Sequence, residues 1–184
     1  WIEARQGREV LGVEVPFEVL VPTEGQPLRL TGTVDRLDRG ADGRLVIVDF
    51  KTGRHVPTRG EAASLDQLGA YQLAAQLGAF SHLAGDAGVG AAELVYLRAQ
   101  DGQQPYPKVL QQPSIADVPY LPEEPSVAVL DEASRKAVGT QQDHPTWVHH
   151  RMATAARVLA GDRYVATVGH QCRYCPFASS CPGR

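Results

Sequence analysis

Lysine is scarce in this 184-residue chain, and methionine scarcer still. Lys51, Lys108 and Lys136 are the only lysines, and Met152 is the only methionine. The other basic residues are arginines, and 18 bases against 21 acids leave a formal net charge of −3. The basic excess of many nucleic-acid binders is therefore absent, so overall charge is neutral evidence about such a partner. Arginine in place of lysine fits a GC-rich genome better than it fits any one function. No apolar run is long enough to span a membrane, and no signal-peptide pattern is present. No phosphate loop occurs, which excludes ATP hydrolysis as the work of this domain. No serine or cysteine has partners that suggest a nucleophilic triad. His55, His82, His144, His149, His150 and His170 are scattered and form no pattern such as His-Glu-x-x-His. The three cysteines all lie near the end, which argues against a secreted disulfide framework. The expected location is the cytoplasm. No repeats or low-complexity segments occur. With 43% hydrophobic residues, the chain suits one domain, residues 1–184, with a sizeable core. It opens at Trp1, so it is expected to be a piece of a longer polypeptide.

What the chain does have is a charged hairpin. Residues 28–38 and 44–51 read as strands, and Gly40-Ala41-Asp42-Gly43 between them is a turn signal. A three-residue loop, Ala41-Asp42-Gly43, with Gly43 supplying the positive φ, centres the hairpin on Asp42. Residues 40 and 44, 38 and 46, and 35 and 49 are then paired. Asp35 faces Asp49, and like charges placed so are destabilising. A chain tolerates such a pair when a cation sits between the acids or one acid keeps its proton. Lys51, two residues past Asp49, shares its face. Val46, Val48 and Phe50 fill one face of the second strand, and Leu45 and Ile47 lead to Asp49 on the other. A strand apolar on both faces is usually buried, and charges at its end are costly unless paired or metal-bound. Two carboxylates and an ammonium there point to metal-assisted hydrolysis.

Elsewhere, residues 11–21 alternate as a strand, with Pro16 suggesting an edge or a bulge. Glu14 in that strand is a candidate to approach the site. Residues 54–61 read as an exposed loop able to gate or guide a strand of DNA. Residues 61–83 read as one long helix, with Ala70, Leu73, Leu77 and Phe80 toward the core. Gln67 and Tyr71 share a face of that helix. Residues 85–90 are a glycine-rich break, and 93–98 a further strand. Residues 103–125 are proline-rich and read mainly as loop, with a short strand at 108–111. Helices are expected over 131–138 and 146–160, the second ended by Gly161.

Three motifs in order, Gly32-Thr33-Val34-Asp35-Arg36, Asp49-Phe50-Lys51-Thr52-Gly53, and Gln67 with Tyr71, resemble the RecB-type branch of the PD-(D/E)XK nuclease superfamily. The likeness is nearest to the nuclease domains of helicase–nuclease repair machines of the AddAB and AdnAB type, and it spans most of the chain. It implies an α/β fold, a restriction-endonuclease-like mixed central sheet with flanking helices, whose first helix is missing here. That helix often supplies a histidine metal ligand, so this chain by itself is expected to be weakly active or inactive. It implies that Asp35 and Asp49 bind Mg²⁺ or Mn²⁺, with the backbone carbonyl of Phe50 as a further ligand. Lys51 would orient the attacking water, and Gln67 and Tyr71 would support the site or position DNA. The implied partners are DNA, expected single-stranded, a helicase domain in the same chain and a partner helicase subunit. A stand-alone CRISPR-associated RecB-like exonuclease and a noncatalytic nuclease-like binding domain are the alternatives. A zinc-binding interaction module is a third, from a different class.

Residues 170–184 form a cysteine-rich tail. Cys172, Cys175 and Cys181 have a spacing that can wrap one metal centre, but a [4Fe–4S] cluster takes four cysteines. None precedes Cys172. In the AddB-type domains that the tail resembles, a fourth cysteine lies upstream and the cluster staples the two ends together. That implies a [4Fe–4S] cluster completed from outside this chain. His170 completing a Cys₃His zinc site is the alternative, as are free thiols or a disulfide.

Overall fold

The computed structural model describes residues 7–102, 106–123, 130–161, 170–176 and 181. Five strands form one mixed sheet: β1 (Glu9–Val21), β2 (Leu28–Arg39), β3 (Leu45–Lys51), β4 (Val89–Gln100) and β5 (Pro107–Gln112), adjacent in that order. Only β3 and β4 run parallel. Parallel neighbours need a crossover, and helices α1 (Arg59–Ala63), α2 (Asp66–Gln76) and α3 (Ser81–Ala84) supply it. After β5 come α4 (Glu132–Val138) and α5 (Trp147–Ala160), with 3₁₀ turns at Gln141–Asp143 and His170–Tyr174. The chain is thus α/β, a mixed sheet with flanking helices, as expected. Among the described residues no helix is long and apolar enough to cross a membrane.

The β2–β3 hairpin has the anticipated turn and register. Gly43 has φ 80°, the Gly40 N–H donates to the Arg44 carbonyl at 2.8 Å, and Asp38 pairs with Val46. β1 lies at the sheet edge with a bulge between Val10 and Gly12, where Pro16 costs no interior ladder bond. β5 covers the strand expected at 108–111. The helix expected over 131–138 forms with Asp131 as its N-cap. The one over 146–160 forms between Thr146 and Gly161.

The single helix expected over 61–83 is instead three short ones. The first break has a tertiary cause. Gln112 Nε2 donates to the carbonyls of Ala62 and Leu65 at 3.1 and 3.0 Å, and Leu65 is extended at ψ 119°. The second break is at Gly78, whose φ of 83° stops a helix at little cost for glycine. Leu73 and Phe80 are buried as expected, but Leu77 is 36% exposed.

The main core lies between one sheet face and α1–α3. Leu37, Ile47 and Leu94 meet Leu68, Ala74 and Phe80 there. Each fully buried leucine or isoleucine contributes roughly 1.5–3 kcal/mol. Trp147 and Val148 of α5 pack with Leu73 in a second cluster. Gly69 permits this close approach, since a Cβ there would lie 2.7 Å from the Trp147 ring. On the opposite sheet face, Val46, Val48 and Val95 form a third cluster.

Candidate active site

The β2–β3 ladder ends at Arg36↔Val48. One residue further, where the register sets Asp35 against Asp49, the strands separate. The Asp35 carboxylate fills the gap and accepts from the Phe50 N–H at 2.7 Å. Asp35 therefore stands in for a backbone acceptor, and the direct ladder pair expected of Asp35 and Asp49 does not form. Strict alternation is lost at the same point, since Val34 and Leu37 both enter the main core. On β1 the irregularity is matched by Glu14, which has φ 49°. Its neighbours Val13 and Val15 pair with Arg36 and Val34, so Glu14 lies at the level of Asp35. It is exposed.

Asp49 is 3% exposed. Lys51 Nζ lies 2.8 Å from its Oδ2, so the ammonium is the polar neighbour of that buried oxygen. Burial pushes the Asp49 carboxyl above its ordinary pKa, Lys51 pulls it back, and the Asp35 charge pushes it up again. Tyr96, beside Lys51 in the β3–β4 pairing, has its phenol raised, mainly by burial.

Gln67 ties these groups together. Its Oε1 accepts from Lys51 Nζ at 2.8 Å. Its Nε2 donates to Asp49 Oδ1 at 3.1 Å and to the Tyr71 hydroxyl at 2.9 Å. A primary amide has two N–H groups, and both are used, so the orientation of the amide is fixed. Tyr71 is held edge-on to Phe17, which is in turn edge-on to Phe80, each pair 5.8 Å between centroids. Gly32 makes room for that ring, because a Cβ there would lie 2.9 Å from Phe17.

All five side chains singled out in the sequence thus meet at one end of the sheet. The helix break after Ser64 is part of the reason, since it starts α2 over the site with Gln67 in its first turn. Sequence reasoning missed the residues that fix this break. Gln72, fully buried, donates to Gln112 Oε1 at 2.9 Å and accepts from the Ile115 N–H at 2.9 Å. The available signal was a glutamine inside the apolar run Leu68 to Ala75.

Two carboxylates, one of them buried, fit the oxygen-donor set of a hard divalent cation. Among the described residues no group of three or more His, Cys, Asp or Glu is arranged to hold a metal. Any further ligands to an ion at Asp35 and Asp49 therefore lie outside such a group. The same holds for the tail. Cys172 and Cys175 lie in and after the turn His170–Tyr174, with the Cys175 N–H donating to the Cys172 carbonyl at 3.4 Å. Cys181 does not join them in a group of three.

The crystal structure of SSO0001 is similar to this fold with a TM-score of 0.45 and 17% identity, over 98% of this chain and 63% of that one. This chain thus spans less than two thirds of that protein's length. No curated protein matches the sequence. The PD-(D/E)XK nuclease superfamily matches residues 1–182, nearly the full length, and the mixed α/β sheet is the architecture which that family requires. The chain belongs to the PD-(D/E)XK nuclease superfamily.

Proposed function

We propose that this domain is a divalent-metal-dependent deoxyribonuclease acting on single-stranded DNA, with Asp35, Asp49, Lys51, Gln67 and Tyr71 as its working residues. The observation that carries this reading is the buried Asp49, held by Lys51 and Gln67 beside the second carboxylate of Asp35. Asp35 and Asp49, with the Phe50 carbonyl, would hold Mg²⁺ or Mn²⁺. Such an ion, when bound, supplies an activated water and stabilises charge on the phosphate. Lys51, 31% exposed along its side chain, reaches solvent beside Asp49 and places a positive charge where a phosphate oxygen becomes more negative. Gln67 keeps that ammonium and the Asp49 carboxylate in register. With its Nε2 contact satisfied, Tyr71 keeps its own hydroxyl proton to donate to a neighbouring DNA phosphate.

The motif order supports the RecB-type branch and a role as the nuclease module of a helicase–nuclease machine for end resection in recombinational repair. On this reading residues 1–184 are one nuclease domain of a longer cytoplasmic protein, working with a helicase domain and a partner helicase subunit. The cysteine spacing supports a structural [4Fe–4S] cluster on Cys172, Cys175 and Cys181 with a fourth ligand from outside the chain. Incubating the intact parent protein with labelled single- and double-stranded DNA, with Mn²⁺, Mg²⁺ or a chelator, tests the activity, and the 184-residue chain alone is expected to cleave weakly or not at all. Ion-dependent cleavage lost in Asp49→Ala is expected. Cleavage of equal rate in chelator, or in the variant, overturns the assignment.

A further inference from the structure

The third strand of the site face continues past the catalytic cluster. Lys51 on β3 pairs with Tyr96 on β4, and Tyr96 pairs with Lys108 on β5. Directly paired residues project from the same face of a sheet. The row Lys51, Tyr96, Lys108 therefore runs across the face that carries Asp49, whose own row is Asp49, Leu94, Leu110. Leu94, Tyr96 and Leu110 all enter the main core beneath the helices, which fixes the assignment of this face. Val95 and Val109 between them belong to the opposite cluster. Two of the three lysines in the chain thus occupy the two ends of one cross-sheet row.

Lys108 is half-buried and forms no ion pair or hydrogen bond among the described residues. The acids nearest to it do not pair with it: Asp101, just past β4 and opposite Tyr106, makes no ion pair or hydrogen bond to Lys108 among the described residues. Glu93 pairs with Val48 and Gln111, so it lies on the other face, where Arg8 and Gln111 hold it. The middle of the row is Tyr96, neutral and 5% exposed. A half-buried ammonium loses part of its hydration and recovers it best from an anion. At about 4.8 Å between neighbouring strands, Lys108 stands about 10 Å from Lys51. That is within reach of two nearby phosphates of one DNA strand.

We propose that Lys108 is a substrate-positioning residue that binds a backbone phosphate of the DNA strand, close along the strand to the phosphate that meets Lys51. The strand then passes the sheet end from the β3 side to the β5 side, around the buried Tyr96 rather than over it. This inference rests on the nuclease reading and adds the direction in which the substrate lies. The contact is electrostatic and independent of base identity, so it adds affinity without sequence preference.

The test is binding of a fluorescent single-stranded oligonucleotide to the full chain in chelator, where cleavage is arrested, over a series of salt concentrations. Loss of one phosphate contact lowers the slope of log K against log salt by about 0.7 for a single strand. Lys108→Gln is expected to weaken binding several-fold at low salt and to reduce the slope by that amount. Lys108→Arg is expected to restore both. Lys136→Gln, on exposed α4, is expected to change neither. A Lys108→Gln slope equal to that of the wild type overturns the proposal, and the nuclease reading then stands if the wild type still cleaves with Mn²⁺. Absence of any oligonucleotide binding by the wild type overturns the proposal, and the nuclease reading falls with it only if cleavage with Mn²⁺ by the intact parent protein is absent as well.

Discussion

The two faces of the sheet bury similar charges to different ends. On the back face Arg36 Nε meets Asp38 Oδ1 at 2.7 Å, and Arg8 grips Glu93 with two bonds of 3.1 and 3.0 Å. Two acids stand against two guanidinium groups. On the front face two acids, Asp35 and Asp49, stand against one ammonium, Lys51. Among the described residues these two pairs balance in sign, and Arg8 ties the start of β1 to β4. The front face keeps an excess negative charge in a buried place, which costs stability unless a cation arrives. Buried charge of balanced sign is architecture, whereas buried charge left in excess is poised for a ligand.

The largest expected effect breaks the front face alone. In the intact parent protein Asp49→Ala is expected to abolish Mn²⁺-dependent cleavage, and Lys51→Ala to lower it by about 10²–10³-fold, the loss typical of one preorganised stabilising group. Asp49→Ala should not lower the melting temperature of the ion-free protein, since it relieves a like-charge contact. Lys51→Ala should lower it, since it leaves the buried Asp49 without that ammonium. Lys51→Ala should retain most Mn²⁺ affinity by calorimetry. Unchanged turnover in both variants would remove the functional meaning of the excess charge.

The back face is expected to behave in the opposite way. Arg8→Ala removes the two guanidinium bonds to Glu93, which is 1% exposed. Breaking a buried pair by one partner costs about 3–5 kcal/mol, and the lower end applies because Arg8 keeps 19% of its side chain exposed. Denaturant unfolding measures this. Mn²⁺ affinity per folded molecule should stay constant, and a changed affinity would show that the two faces are coupled.

How much of this was legible in the sequence depends on how local its causes are. The hairpin, its turn and its register follow from Gly40, Asp42, Gly43 and the alternation around them, so Asp49 and Lys51 could be placed on one face from spacing alone. Helix α5 was readable for the same reason, with Thr146 accepting from the His149 N–H at one end and Gly161 at the other. The break between α1 and α2 was not readable, because Gln112, 50 residues away from Ala62, sets it. The matched pairs of the back face were equally hidden. Arg8 and Glu93 are 85 residues apart, and only the sheet order brings them together. The split between β2 and β3 at Asp35 also escaped a reading that assumes an unbroken ladder.

A smaller effect sharpens the comparison by disturbing the wall of the front face. Gly32→Ala pushes the Phe17 ring, since its new Cβ would lie 2.9 Å from two ring carbons. Overpacking of this kind costs typically about 1–3 kcal/mol. Phe17 leans on Tyr71, and Tyr71 holds Gln67, so turnover should fall while unfolding remains cooperative. Equal turnover in the variant would show that the aromatic support does not reach Gln67.

The subtlest difference is in pH. Burial raises the folded-state pKa of Asp49 above its unfolded value. The folded state then binds that proton more tightly than the unfolded state does. The contribution of Asp49 to stability is fully present below the unfolded pKa, near 3.9, and is lost as pH rises through the raised folded value. Asp49→Asn mimics the neutral form at every pH. In chelator its melting temperature should therefore exceed that of the wild type at neutral pH, and the gap should close as the solution is acidified through the carboxylate range. The other acids with shifted pKa, Glu18 beside Arg29 and Glu61, Asp131 and Asp143 at helix caps, titrate alike in both proteins and cancel in the difference. Saturating Mn²⁺ should reverse the order, because an ion bound only to the folded wild type adds about 2.7 kcal/mol at a hundred times its Kd. A gap that is absent at neutral pH, or that survives unchanged in acid, would mean that Asp49 carries no excess charge for an ion to neutralise.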